Sequence, residues 1–194
     1  IDAVNEFDAL TDDIYDYCEI LKIGVDTLIH ESGPSQIEIN LNHGDPLALA
    51  DQAFMFKRAV RQVALKHGIH ATFMAKPYQG HPGSSMHIHQ NLINYNSKKN
   101  IFSDDQGNNS DHFMNYIGGL QNYLPDAMLF FAPYVNSYRR FVIDASAPIN
   151  THWGYENRTV AFRVPTSKGP SRRVENRIAG ADTNPYLAIA ASLA

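Results

Sequence analysis

Apolar and acidic residues alternate at helical spacing through DAVNEFDALTDDIYDYCEILK (2–22), which predicts an opening helix stopped near Gly24. The pattern then changes to period two. VDTLIHES (25–32) and SQIEINLNH (35–43) read as strands joined at Gly33-Pro34 into a hairpin. Residues 46–67, rich in Ala, Phe, Met, Lys and Arg, predict a long helix closed by Gly68. IHATFMAK (69–76) alternates as a strand does and leads into the loop KPYQGHPGSS, after which MHIHQNLIN (86–94) predicts another strand. A polar run at 96–110 reads as a loop, and 111–131 as a helix broken at Pro125. Beyond a loop around 136–157, RTVAFRVP and RRVENRIA supply two further strands. Asp182-Thr183-Asn184-Pro185 opens a final helix, with a capping residue before an early proline. Antiparallel strands mixed with helices suggest an α+β domain whose sheet is open on one face.

Composition narrows the classes. With 194 residues, 44% of them hydrophobic, the chain suits one globular domain with a real core. A formal charge of −4 gives no bulk attraction to nucleic acid or to an anionic membrane, so neither is expected as a partner. The single cysteine, Cys18, excludes an internal disulfide framework and favours a reducing, cytoplasmic setting. There is no apolar run of membrane-spanning length and no signal-peptide pattern. The chain starts at Ile1 and stops at Leu193-Ala194 within a helical pattern, which reads as a piece of a longer protein with an incomplete site.

Three groups of residues offer chemistry. In RRVENR (172–177) an extended backbone puts Arg173, Glu175 and Arg177 on one face, two cations flanking a carboxylate. That is either an ordinary surface charge ladder or a site for phosphate and metal. Met86-His87-Ile88-His89 places two imidazoles on one strand face, a weak signal alone. Glu31 and Glu38 flank the hairpin turn, where they repel unless a cation lies between them, and oxygen donors suit Mg²⁺ or Mn²⁺ better than zinc. Two solvated glutamates are the plainer alternative. The last third adds Arg139, Arg140, Arg158, Arg163 and Arg172, forks that match phosphate or carboxylate, without lysine support for nucleic acid. Neither a Walker loop nor a Rossmann fingerprint is present, so any ATP site must be a side-chain clamp on a sheet. His43, His67, His70, His81, His112 and His152 default to surface or loop roles, with His43 and His152 the two able to line a site, and Trp153 and Phe130-Phe131 to core.

Five blocks occur in one order: HESGPSQIEI (30–39), GSSMHIHQNL (83–92), NSYRRF…AP (136–148), NRTVAFRVP (157–165) and RRVENRIAGADTNPYLAIAA (172–191). In them the chain resembles the glutamine synthetase catalytic domain over essentially its whole length, and within that family the glutamate–polyamine branch. The resemblance implies a curved antiparallel sheet flanked by helices and forming a funnel, with ATP entering one end, glutamate the other, and two divalent metals (Mg²⁺ or Mn²⁺) at the waist. It implies Glu31 and Glu38 as ligands of one metal, and His87 and Glu175 as ligands of the other. It gives His89, Arg163 and Arg173 to ATP, Arg158 to the transferred phosphate, and Gly83, Arg140 and Arg177 to glutamate. Arg158 and Arg163 are five apart, so Arg158 is expected to precede the strand that carries Arg163.

Three departures qualify the resemblance. The family's upstream Glu-x-Glu metal ligands and its N-terminal domain are not in residues 1–194, a partial catalytic domain expected to bind metal poorly and to be inactive alone. The family's ammonium-binding glutamate before Ala-Pro is Ser146 here, with Asp144 nearby as a substitute. Pro82 replaces an asparagine common before the glutamate-binding glycine. A neutral hydroxyl neither attracts NH₄⁺ nor acts as a base near neutral pH. The expected activity is therefore ATP-dependent joining of glutamate to a small, putrescine-like amine, in an intact protein assembled as a large homo-oligomeric ring. The alternatives are glutamine synthesis from ammonia, and a catalytically silent relative with a regulatory or scaffolding role.

Overall fold

The computed structural model describes residues 7–143 and 146–194. The described chain runs α1 (Asp8–Ile20), β1 (Val25–His30), β2 (Ile37–Leu41), α2 (Pro46–Lys66), β3 (Ile88–Gln90), α3 (Asp111–Phe131), α4 (Val135–Tyr138), β4 (Trp153–Tyr155), β5 (Phe162–Val164), β6 (Val174–Asn176) and α5 (Pro185–Leu193). This is the expected α+β class, with helices flanking sheet. The sheet is in two parts: the antiparallel hairpin β1-β2, and a four-stranded sheet in the order β3-β6-β5-β4. Its β3-β6 and β6-β5 pairs are antiparallel, while β5-β4 is parallel.

Each part has its own core. The apolar stripes of α1 and α2 bury Leu10, Ile14, Cys18, Val63 and Ala64, and the hairpin's Val25, Ile39 and Leu41 pack onto them. The larger core takes one face of the four-stranded sheet (Phe162, Val164, Val174) and covers it with Phe113, Ile117, Leu124 and Phe131 of α3 and Ala188 of α5. That leaves the other face of β3, β6 and β5 for polar groups.

Local signals set the helix ends. Asp45 accepts from the amides of Leu47 and Ala48 at 3.0 and 3.1 Å with Pro46 following, and Asn184 accepts from Tyr186 and Leu187 at 3.0 and 3.2 Å before Pro185. Each such cap contributes about 1 kcal/mol. Gly68 ends α2 with φ +72°, a conformation that favours glycine.

Four expectations change. Pro125 does not break α3: it sits on the exposed side, where water can satisfy the carbonyl it leaves without a donor, while Leu124 and Phe131 stay buried. Residues 69–76 form no strand, because among the described residues they find no ladder partner. Their alternation records packing instead, with Ala75 fully buried and Phe73 edge-on to Phe56 at 6.2 Å. Of 86–94 only Ile88–Gln90 joins a ladder, flanked by the bridges Ser85–Gly180 and Ile93–Asn100. The loop assigned to 136–157 holds part of α4 and all of β4. Among the described residues no helix is long and apolar enough to cross a membrane.

Candidate active site

Period two on β6 sorts its residues. Val174 enters the core and Asn176 donates to Ser192 Oγ of α5 at 3.0 Å, so Glu175 points away from both. Antiparallel register brings His89 of β3 and Arg163 of β5 opposite Glu175, one from each side. Glu175 is 2% exposed. Its Oε2 accepts from Arg163 Nη1 at 2.7 Å, and its Oε1 accepts from Arg177 Nη1 at 2.5 Å. His87 Nδ1 and His89 Nε2 stand 3.2 and 4.0 Å from the same Oε1. Arg173 Nε donates to His89 Nδ1 at 3.2 Å. The RRVENR ladder is therefore the middle of a buried charge cluster.

Burial alone would raise the Glu175 carboxyl, but His87, Arg177, Arg163 and His89 outweigh it and hold the group below its usual range. Burial drives His87 the other way, down to about 3, with Arg177 adding to the shift and Glu175 opposing it. His89 is lowered as well, first by burial. Both imidazoles are neutral near pH 7, the form that offers a lone pair to a cation. Arg163 is held from its far side too. Its Nη2 donates to Glu156 Oε2 at 2.6 Å, and the Thr166 amide donates to the other oxygen of Glu156. Glu156 has φ +46°, a left-handed turn between β4 and β5.

Next to this cluster Arg140, 2% exposed, comes from the turn after α4. Its Nη1 donates to Ser85 Oγ at 2.7 Å, and its Nη2 to the Ile178 carbonyl. Burial lowers it to about 10. Its aliphatic stem explains Gly83: a Cβ there would lie 2.6 Å from the Ala75 carbonyl oxygen and 2.7 Å from Arg140 Cγ.

The hairpin brings a third set. Glu38 lies on β2 opposite Ile29, and Glu31 follows β1 directly. Partial burial raises the Glu38 carboxyl. The Asn40 amide, donating at 3.0 Å, opposes that, whereas Glu31 and Glu175 add to it. Glu31 and Glu38 thus lie side by side with no ion-pair partner among the described residues, the condition a divalent cation relieves. Among the described residues, no three His, Cys, Asp or Glu side chains are grouped to hold a metal. In charge and donor type the residues still fit one: Glu31 and Glu38 would hold one cation, and His87 and Glu175 a second.

Arg158 lies in an exposed turn ahead of β5, which removes the parity conflict with Arg163. Ser146 is exposed, and Asp144 is outside the described residues. Neither Arg158 nor Ser146 hydrogen-bonds to the cluster among the described residues. His67 pairs with Asp13 at 2.8 Å and belongs to the helix pair. Three residues close to the site gave no advance signal: Gln36, Ser85 and Glu156. Each acts through contacts that only the folded chain brings about, and no spacing pattern marks such a residue.

The glutamine synthetase catalytic-domain model matches residues 1–194. The chain belongs to the glutamine synthetase family. It is 44% identical, over its whole length, to the gamma-glutamylputrescine synthetase of Escherichia coli (strain K12), covering 41% of that protein. Over 84% of its length it is 43% identical to a glutamate–isopropylamine ligase of a Pseudomonas species, covering 36% of it. Over 91% it is 39% identical to a glutamine synthetase of Thermococcus kodakarensis, covering 39% of it. The chain thus spans about two fifths of the length of these relatives.

Proposed function

We propose that the intact protein is an ATP-dependent ligase that joins the γ-carboxyl of glutamate to a small, putrescine-like amine through a γ-glutamyl phosphate. The observation that carries this is Glu175: one buried carboxylate touched by Arg163 and Arg177, beside two neutral imidazoles and near the Glu31–Glu38 pair. Phosphoryl transfer from ATP to a carboxylate crowds negative charge, and catalysis of it is mostly positioning and neutralisation. Bound divalent cations would supply Lewis-acid charge at the phosphates.

The chain's own residues divide the remaining work. Arg140 and Arg177 hold the glutamate, with Gly83 leaving room beside the Arg140 stem. Arg163, Arg173 and His89 face the nucleotide. Arg163 and Arg177 now rest on Glu175, so incoming phosphate and carboxylate oxygens compete for guanidiniums already aimed at one point. Arg158, on its exposed turn, reaches the transferred phosphate. Ser146 presents no charge to an ammonium ion, which favours an acceptor recognised by its carbon chain. Two of the relatives above, at 44% and 43% identity, are named for amine acceptors, which supports the same reading. The intact protein is proposed to work in the cytoplasm as a homo-oligomeric ring.

The test is ATP-dependent phosphate release by the full-length protein with Mg²⁺ and glutamate, comparing putrescine, isopropylamine and ammonia at matched free-base concentrations. Release driven by an amine, with ammonia near background, is the expected result. Efficient turnover with ammonia makes the protein a glutamine synthetase, and no release with any acceptor leaves the silent relative.

A further inference from the structure

The hairpin that carries Glu31 and Glu38 packs on the α1-α2 core, whereas Met86 and Ile88, which follow the loop that carries Gly83, pack on the larger one, yet glutamate chemistry needs hairpin and loop in fixed register. One side chain joins them. Gln36, at the end of the hairpin turn, donates from Nε2 to the Gly83 carbonyl at 2.9 Å and to Ser84 Oγ at 3.2 Å. Its Oε1 accepts from the Gly33 amide at 3.1 Å. A carbonyl only accepts and an amide N–H only donates, so these partners fix which way the side-chain amide points. The backbone of Gln36 is tied down as well, its amide to the Gly33 carbonyl at 3.1 Å and its carbonyl to the Glu31 amide at 2.9 Å. A Cβ on Gly33 would lie 2.5 Å from Gln36 Oε1, so any larger residue there would push the Gln36 side chain out of this position. Among the described residues no other side chain of the hairpin hydrogen-bonds to the Gly83 loop.

We infer that Gln36 is a positioning residue that sets the distance between the Glu31–Glu38 carboxylate pair and the glutamate-binding Gly83–Arg140 wall. The inference rests on the proposed function. Gln36 touches no reactant in this role and acts through the Gly83 carbonyl and the hairpin turn. A glutamate in its place keeps the shape but faces the Gly83 carbonyl with an acceptor. A methionine keeps the volume and loses every polar contact.

The experiment compares full-length wild type with Gln36→Met and Gln36→Glu, reading KM for glutamate and for ATP together with backbone hydrogen exchange. Glutamate KM is expected to rise about tenfold, the scale of one or two lost hydrogen bonds, with ATP KM within about twofold. Segments 31–38 and 83–86 are expected to exchange faster together. A glutamate KM within about twofold of wild type overturns the inference, as does a parallel rise in both KM values, which marks general loosening. Should wild type not use glutamate at all, the proposed function fails on its own. Exchange then decides about Gln36: coupled loss of protection upholds the tether, and protection unchanged in either segment refutes it.

Discussion

The face of β6 and the β1-β2 hairpin both present carboxylates to the same space, and they treat them in opposite ways. Glu175 is buried between Arg163 and Arg177 and sits below its usual pKa. Glu38 has an amide from Asn40, the carboxylate of Glu31 beside it and that of Glu175 nearby, and sits above its usual pKa. The first region brings its own counter-charge, while the second leaves its charge for something outside the chain. A site built this way can be rigid before it is loaded and still have strong reason to take up a cation.

The sharpest way to break that contrast is to remove the carboxylate at the sheet centre. Glu175→Ala leaves the Arg177 and Arg163 guanidiniums, 5% and 16% exposed, without their shared partner. Breaking a buried ion pair from one side costs about 3–5 kcal/mol. The midpoint of thermal unfolding should fall by roughly 10 °C for a chain of this size. A loss of only a degree or two would mean that the cluster is wetter than its burial implies. Gly83→Ala comes next, because a Cβ meets the Ala75 carbonyl and the Arg140 stem. Overpacking of this kind costs about 1–3 kcal/mol. Stability should drop, and glutamate KM should rise more than ATP KM.

The hairpin should answer with the other sign. Glu38→Gln removes a like charge beside Glu31, so in chelator the variant should be as stable as wild type or firmer by up to about 1 kcal/mol. In the full-length protein, added Mn²⁺ should raise the melting temperature of wild type more than that of the variant, since a ligand stabilises only as far as it binds. Equal shifts in both proteins would remove Glu38 from the metal-binding residues.

What could be read from the sequence follows the reach of each interaction. The caps at Asp45-Pro46 and Asn184-Pro185 are local, and both helices start where those residues put them. Parity along RRVENR put Arg173, Glu175 and Arg177 on one face because period two is a property of the strand itself. Residues 69–76 carried the same period and formed no strand, since pairing needs a second strand and alternation does not say whether one is there. The parallel β4-β5 pair was hidden for the same reason, as was Pro125 within an unbroken α3. The residues that gather around Glu175, namely His87, His89, Arg163, Arg173 and Arg177, all lie inside the family blocks. Gln36 sat inside one of those blocks unremarked, because its role depends on the carbonyl of a loop 47 residues away.

A third region lies between the two extremes and yields the smallest effect. Lys57 of α2 donates from Nζ to the Thr183 carbonyl at 2.8 Å, beside a cavity of about 430 Å³ also lined by Arg58, Arg61 and Asp182. Burial, with Arg61 adding to it and Asp182 opposing, lowers it from 10.5 to about 8. The unfolded chain therefore holds more protons than the folded one between pH 8 and 10.5. Stability from this group must rise with pH across that window and be lost as pH falls back through it. Lys57 is only partly buried, so solvent screening leaves an effect of about 1 kcal/mol or less. Lys57→Met should flatten that part of the curve in denaturant titrations at pH 7.5 to 10.5, relative to wild type. If the two curves stay parallel, the Thr183 carbonyl and Asp182 already neutralise Lys57, which then belongs with Glu175 among the groups whose counter-charge is built in.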